Sequence, residues 1–194
     1  MARRSPEEAA KTRTRIVDEA LLVFAEQGIS ASQLEEIARR AGVTRGALYH
    51  HFSGKEELLL TMLKERWDRA MGPVLKPLRQ ERGVPALRAF IEGYLQSVDH
   101  DVTVRALLTV SLSGELATLE APGLEAKAAV WSDWLELLDR SIKEARETRR
   151  SVRTASECVL NHLIGYALRS ALFGPPAQAN HHELCTCILE GVLR

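Results

Sequence analysis

The stretch that most constrains this chain runs from Ser32 to Phe52, SQLEEIARRAGVTRGALYHHF. Ser32 is a helix N-cap residue type, and Glu35 three residues on completes a capping box with it. Leu34, Ile37, Ala38 and Ala41 recur at the spacing of one buried helical face. Gly42 offers the positive φ that ends a helix. Val43 is an apolar plug, and Thr44 is placed to cap a second helix from Arg45 to Phe52. That helix buries Leu48 and Phe52 (i, i+4) and leaves Arg45, Tyr49, His50, His51 and the neighbouring Lys55 pointing outward. Two short helices joined by a Gly turn, the second with a basic and aromatic outer face, form a helix-turn-helix. The motif spans residues 33–52.

Upstream, Ile16, Ala20, Phe24 and Gly28 are followed by IAxxAGVTRGALYHHFxxKEEL. This pattern resembles the TetR family of transcriptional regulators. The opening MARRSPEEAAKTR and the AGVTRGALYHHF core are most similar to the branch that represses multidrug efflux pumps. The resemblance covers residues 9–69, and the remaining two thirds carry no such motif. It implies an N-terminal DNA-binding domain over 9–69, a C-terminal ligand-binding and dimerisation domain over 70–194, and a homodimer.

Composition sets looser bounds. A hydrophobic content of 45% and a charged content of 27% are ordinary for a globular chain. The formal net charge is +0, which argues against coating nucleic acid by bulk charge but leaves room for a local basic reading head. Arg3, Arg4, Lys11, Arg13 and Arg15 form a basic arm opposed only by Glu7 and Glu8. No apolar run approaches a membrane span and residues 1–15 lack a signal-type core, so a cytoplasmic chain with no membrane partner is expected. Cys158, Cys185 and Cys187 do not make a disulfide framework.

Periodicity and breakers predict an all-α fold of about nine helices. Ser5-Pro6-Glu7-Glu8 is a capping box opening a first helix that stops at Gly28, with Ile16, Val17, Ala20, Leu21 and Phe24 inward. Ser53-Gly54-Lys55-Glu56 is a third capping box, and the helix it opens is ended or kinked by Pro73 and Pro77. This fourth helix joins the head to the rest and is the natural lever between them. Val84-Pro85 starts a fifth helix and the residues after Asp101 a sixth; Ala121-Pro122-Gly123 is a break. Leu124 to about Glu147 gives a seventh helix, with Arg149 where the family has Gly. An eighth covers Ser151 to Phe173 and a ninth Asn180 to Leu193.

In the head, Arg45 sits where side chains read base edges in the major groove, and its guanidinium suits a guanine O6/N7 edge. Thr44 and Tyr49 can donate hydroxyls to phosphate, and Gly46 permits close backbone approach. His50 and His51 are hydrogen-bonders at the groove wall, Lys55 a phosphate clamp, and Gln33 a reach to phosphate or an adenine edge. Each alone also fits a solvated surface; their spacing after a Gly turn favours DNA reading. Beyond the head, Leu63, Trp67, Phe90, Tyr94, Trp131, Trp134 and Leu138 can wall an apolar ligand site, with Ser111, Asn161 and His162 as polar orienting groups. Plain core packing is the competing reading for each. Helices eight and nine, apolar over more than one face, suit a four-helix dimer interface.

The expected partners are therefore a palindromic double-stranded operator, a hydrophobic small-molecule inducer and a second copy of the chain. No cofactor, metal site or catalytic group is expected. His181 and Cys185 share a helical face but are too few for a closed metal site. Two other readings stay open: a regulator of the same family sensing a fatty acid or acyl thioester, and a helical ligand-binding protein that does not bind an operator.

Overall fold

The computed structural model describes residues 5–118, 121–145 and 151–193. Within them the chain forms α1 (Pro6–Gln27), α2 (Leu34–Arg40), α3 (Arg45–His51), α4 (Lys55–Gln80), α5 (Gly83–His100), α6 (Val102–Leu112), a 3-10 turn (Gly114–Thr118), α7 (Ala121–Ala145), α8 (Val152–Phe173) and α9 (His181–Leu193). No strand occurs among the described residues.

The start of α1 follows its local code. Ser5 Oγ accepts from the Glu8 amide at 3.2 Å and Glu8 Oε2 accepts from the Ser5 amide at 3.1 Å. These bonds satisfy two groups that a bare helix end leaves unpaired. At the other end Gly28 takes φ +82 and its amide donates to the Phe24 carbonyl. Asp101 caps α6 through the amides of Thr103 and Val104, and Ser151 caps α8 through that of Thr154.

Four local expectations are corrected. Ser32 does not cap α2; it is buried, and its hydroxyl donates to the carbonyls of Val23 and Gly28. Gln33 is the N-cap, without a side-chain bond. A buried hydroxyl needs a partner, and these two carbonyls lock the turn against α1. The box expected at Ser53 and Glu56 is displaced by one residue: the Ser53 amide and hydroxyl both donate to Glu57 Oε2 at 2.7 Å. Neither Pro73 nor Pro77 ends α4, which continues to Gln80. Each proline costs about 3 kcal/mol in a helix interior, but burying Met71, Val74, Leu75 and Leu78 returns about 1.5–3 kcal/mol apiece. Ala121, Pro122 and Gly123 lie in the first turn of α7 rather than in a break, where a missing N–H costs nothing. The expected end of α7 and Arg149 fall outside the described residues.

Two apolar clusters organise these helices. The first joins Ile16, Val17, Ala20 and Phe24 of α1 to Ile37, Leu48, Leu58, Leu59 and Met62, and is closed by Ala106, Leu107 and Val110 of α6. The second gathers Leu75, Leu87, Phe90, Tyr94, Trp134, Leu138, Val159, Leu163 and Leu189. α4 runs through both, and its Trp67 and Ala70 pack against each cluster.

Candidate nucleic-acid interface and apolar core site

The reading surface is built by burial on one side. Leu48 is fully buried and Phe52 nearly so, which seats α3 against the head core and turns its opposite face to solvent. The entry to α3 is fixed by Gly42 at φ +64 and by the Thr44 hydroxyl, which accepts from the Ala47 amide at 3.2 Å. Gln33, Thr44, Arg45, Gly46, Tyr49 and His50 are exposed, and nothing crowds Gly46. His51 is half-buried with its ring against Phe52.

Lys55 departs from the expectation of a side chain pointing freely outward. It is half-buried, and its ammonium donates to the carbonyls of Ile29 at 3.0 Å and Ser30 at 2.9 Å. Two of its three donors thus hold the α1–α2 turn, which leaves one for another partner. The two arginines of α2, Arg39 and Arg40, are paired with carboxylates. Glu36 accepts from Arg39 and Arg40, and Arg40 reaches Glu26 on α1 at 2.6 Å. Arg39 and then Arg40, through these bonds, hold the Glu36 carboxyl at about 2.

Several positioning residues have no local sequence signal because their partners are distant in the chain. Arg15 donates to the carbonyls of Ala41 and Gly42, completing the end of α2 from α1. Arg66 on α4 is buried and pairs with Asp18 at 2.7 Å while donating to the Thr14 carbonyl, so it ties the lever helix to the head. Glu115, in the 3-10 turn, accepts from the Ser30 amide at 2.5 Å. Hydrogen bonds from Ser30, its hydroxyl first and then its amide, draw the Glu115 carboxyl below the usual range. Glu115 also packs so tightly on Gly28 that an added Cβ would meet Oε1 at 2.7 Å. On the outer face, Arg45 pairs with Glu35 at 2.8 Å and stacks over Tyr49, 5.4 Å from the ring centroid.

In the body, the expected aromatic residues do meet. The ring of Trp134 lies 5.9 Å from Trp67, 5.8 Å from Phe90, 6.0 Å from Tyr94 and 6.2 Å from Trp131. Leu138, one turn along α7, is fully buried. Burial pushes the Tyr94 hydroxyl well above its ordinary pKa, keeping it neutral. The Trp134 indole N–H and the Ser111 hydroxyl are buried without a hydrogen-bond partner among the described residues. Leu63 is half-buried against the head cluster rather than this one. Asn161 and His162 do not enter the site; both are exposed on α8, and His162 Nδ1 bonds to the Cys158 carbonyl. Their positions follow the polar side of α8, whose inward face is Val159, Leu160 and Leu163. The aromatic rings fill their own space: the cleft beside Trp67 and Trp134, between α4 and α7, holds about 80 Å³.

A second concavity lies between α5, α8 and α9. It has a volume of about 360 Å³ and is walled by Leu95, Tyr166, Leu184 and Ile188, with His162, Arg169 and Cys187 at its edges. Beneath it, Asp99 Oδ2 accepts from Tyr166 at 2.6 Å and bonds His181 Nε2 at 2.7 Å. His181 is therefore engaged by a carboxylate, and no group of three metal-binding side chains occurs among the described residues. Nor is any described helix long and apolar enough to cross a membrane.

Comparison with known proteins places these features. Residues 16–62 match the family described as "Bacterial regulatory proteins, tetR family". The HTH-type transcriptional regulator SrpR of Pseudomonas putida is 56% identical over 66 residues, covering 34% of this chain and 31% of SrpR. The chain thus aligns with about a third of that relative's length. Among solved structures, AibR in complex with isovaleryl coenzyme A and operator DNA superposes with a TM-score of 0.78 at 18% identity, over 94% of this chain and 98% of AibR. NalD, the secondary repressor of the MexAB-OprM multidrug efflux pump in Pseudomonas aeruginosa, gives 0.67 at 27% identity, over 95% of each chain. With the helix-turn-helix of α2 and α3 inside the matched residues, the segment 16–62 is a tetR-family regulatory domain, and the helical body shares the fold of those solved regulators.

Proposed function

We propose that the chain is a ligand-responsive transcriptional repressor that binds a palindromic operator as a homodimer. The observation that carries this reading is α3: a short helix pinned by Leu48 and Phe52, with Thr44, Arg45, Tyr49 and His50 on its open face. Arg45 reads a base edge. Thr44, Tyr49, the remaining donor of Lys55, and Gln33 at the start of α2 take phosphates. His50 and His51 flank the groove wall.

A single head offers few contacts, so a second copy supplies the other half-site. α8 and α9 support that role. Of the six large apolar side chains exposed among the described residues, four (Leu168, Leu172, Phe173, Leu184) lie on these two helices. Such a patch marks an interaction surface. We assign residues 9–69 to the DNA-binding unit and 70–194 to ligand binding and dimerisation.

The ligand enters the Trp134 cluster. A drug-sized molecule needs about 300–1,000 Å³, far more than the present cleft, so binding must displace Trp67 or Trp134. Trp67 is on α4, one residue from Arg66, which grips α1. A ligand that favours the displaced arrangement therefore moves the lever and the spacing of the heads, to the extent that it binds the two states differently. The apolar walls favour a hydrophobic ligand, and the unpartnered Trp134 N–H supplies a polar anchor. Control of a multidrug efflux system is the reading suggested by the named role of NalD.

The test is retardation of a duplex from the region upstream of the chain's own gene, at rising salt, with and without lipophilic compounds. Retardation that weakens with salt and is released by such a compound is expected. No retardation at low salt would remove the reading.

A further inference from the structure

Arg45 is not a loose surface cation. Its Nη1 lies 2.8 Å from Glu35 Oε1 on α2, and its guanidinium carbon lies 5.4 Å from the centroid of Tyr49 one turn along α3. Both partners are themselves exposed, so the arrangement sits on the reading surface and not beneath it. A carboxylate beside a reading arginine has two consequences. It anchors one end of the planar fork, so the remaining N–H edge points in a set direction and can meet two in-plane acceptors. It also places a negative charge where a phosphate would otherwise draw the arginine away, making non-productive backbone contacts weaker.

We propose that Glu35 is a specificity-determining positioning residue: by holding Arg45 against Tyr49 it restricts that arginine to a guanine-type edge and lowers the affinity of the head for unrelated duplex DNA. The inference rests on the DNA-reading function proposed above. An exposed ion pair contributes little, so the effect on discrimination is about 1.4- to five-fold.

The experiment selects duplexes from a randomised pool with the full-length wild-type chain, then with R45A to identify the base pair that Arg45 reads. Affinities for the selected duplex, for the same duplex changed at that base pair, and for an unrelated duplex are then compared among wild type, E35A and E35Q. Thermal melts confirm that the variants are folded, as expected for an exposed side chain. E35A is expected to bind the unrelated duplex more tightly and to lose up to about five-fold of its preference at the Arg45 base pair. E35Q, which keeps an acceptor but not the charge, is expected to gain unrelated binding while retaining more of the preference. If wild type selects a sequence and E35A shows the same preference and the same unrelated affinity, the role of Glu35 is overturned while DNA reading stands. If wild type enriches no sequence, the DNA-reading function itself fails and Glu35 has nothing to specify.

Discussion

Replacing Trp134 with alanine probes the body of the molecule most sharply. The indole is only 3% exposed and is ringed by Trp67, Phe90, Tyr94 and Trp131 at centroid distances of 5.8–6.2 Å. Removing a buried tryptophan costs about 3–5 kcal/mol from lost transfer energy and the cavity left behind. Against a total stability of about 5–15 kcal/mol this is a large loss, and at about 2–4 °C per kcal/mol it lowers Tm by about 6–20 °C. Urea unfolding at one fixed protein concentration measures it. The cavity should then be dry, apolar and shaped for what was removed, so indole should bind it. At ten times its Kd, indole should restore about 1.4 kcal/mol, a shift absent from the wild type. A loss below about 1 kcal/mol would refute the view of Trp134 as the filling of a closed site. So would an indole shift equal in variant and wild type.

Other expectations follow from particular contacts. Leu172→Asp with Phe173→Asp should convert a dimer to a monomer in light scattering without unfolding α8, because both side chains are exposed in the single chain; an unchanged mass would place the interface elsewhere. Arg66→Ala should cost about 1–3 kcal/mol in urea unfolding, less than a fully buried pair because Asp18 is half-exposed and can return to water. Glu26, Glu36, Glu57 and Glu115 all have carboxyls held below the usual range by Arg40, by Arg39 and Arg40, and by Ser53 and Ser30. Their contribution is complete above the ordinary carboxylate range and is lost as pH falls through their folded values, down to about 2 for Glu36. Thermal melts should therefore weaken on acidification below the ordinary range, and Glu115→Gln should show a shallower loss.

Much of the head was legible because its determinants are local. The capping box at Ser5, the positive φ of Gly42, the Thr44 cap and the Leu48–Phe52 pair all act within a few residues. The helix cap expected of Ser32 and the free outward side chain expected of Lys55 give way for the opposite reason. Each has a plausible local role, but tertiary packing gives it distant partners: Val23 and Gly28 for Ser32, and Ile29 and Ser30 for Lys55. Arg15, Arg66 and Glu115 left no pattern in the sequence, since their bonds span 26, 52 and 85 positions. The aromatic residues of the body were identifiable by size and helical spacing. Asn161 and His162 were not separable from them by spacing, because a polar residue in an apolar helix can face either the core or solvent, and α8 turns both outward.

The central claim is that a symmetric pair of α3 helices lies in successive major grooves of one duplex. Hydroxyl-radical footprinting on a selected duplex tests it most directly. Two protected patches about 34–36 Å apart, or a multiple of that, are predicted, both needing more protein for equal protection with Arg45→Ala. A single patch, or protection that survives Arg45→Ala unchanged, would contradict the account.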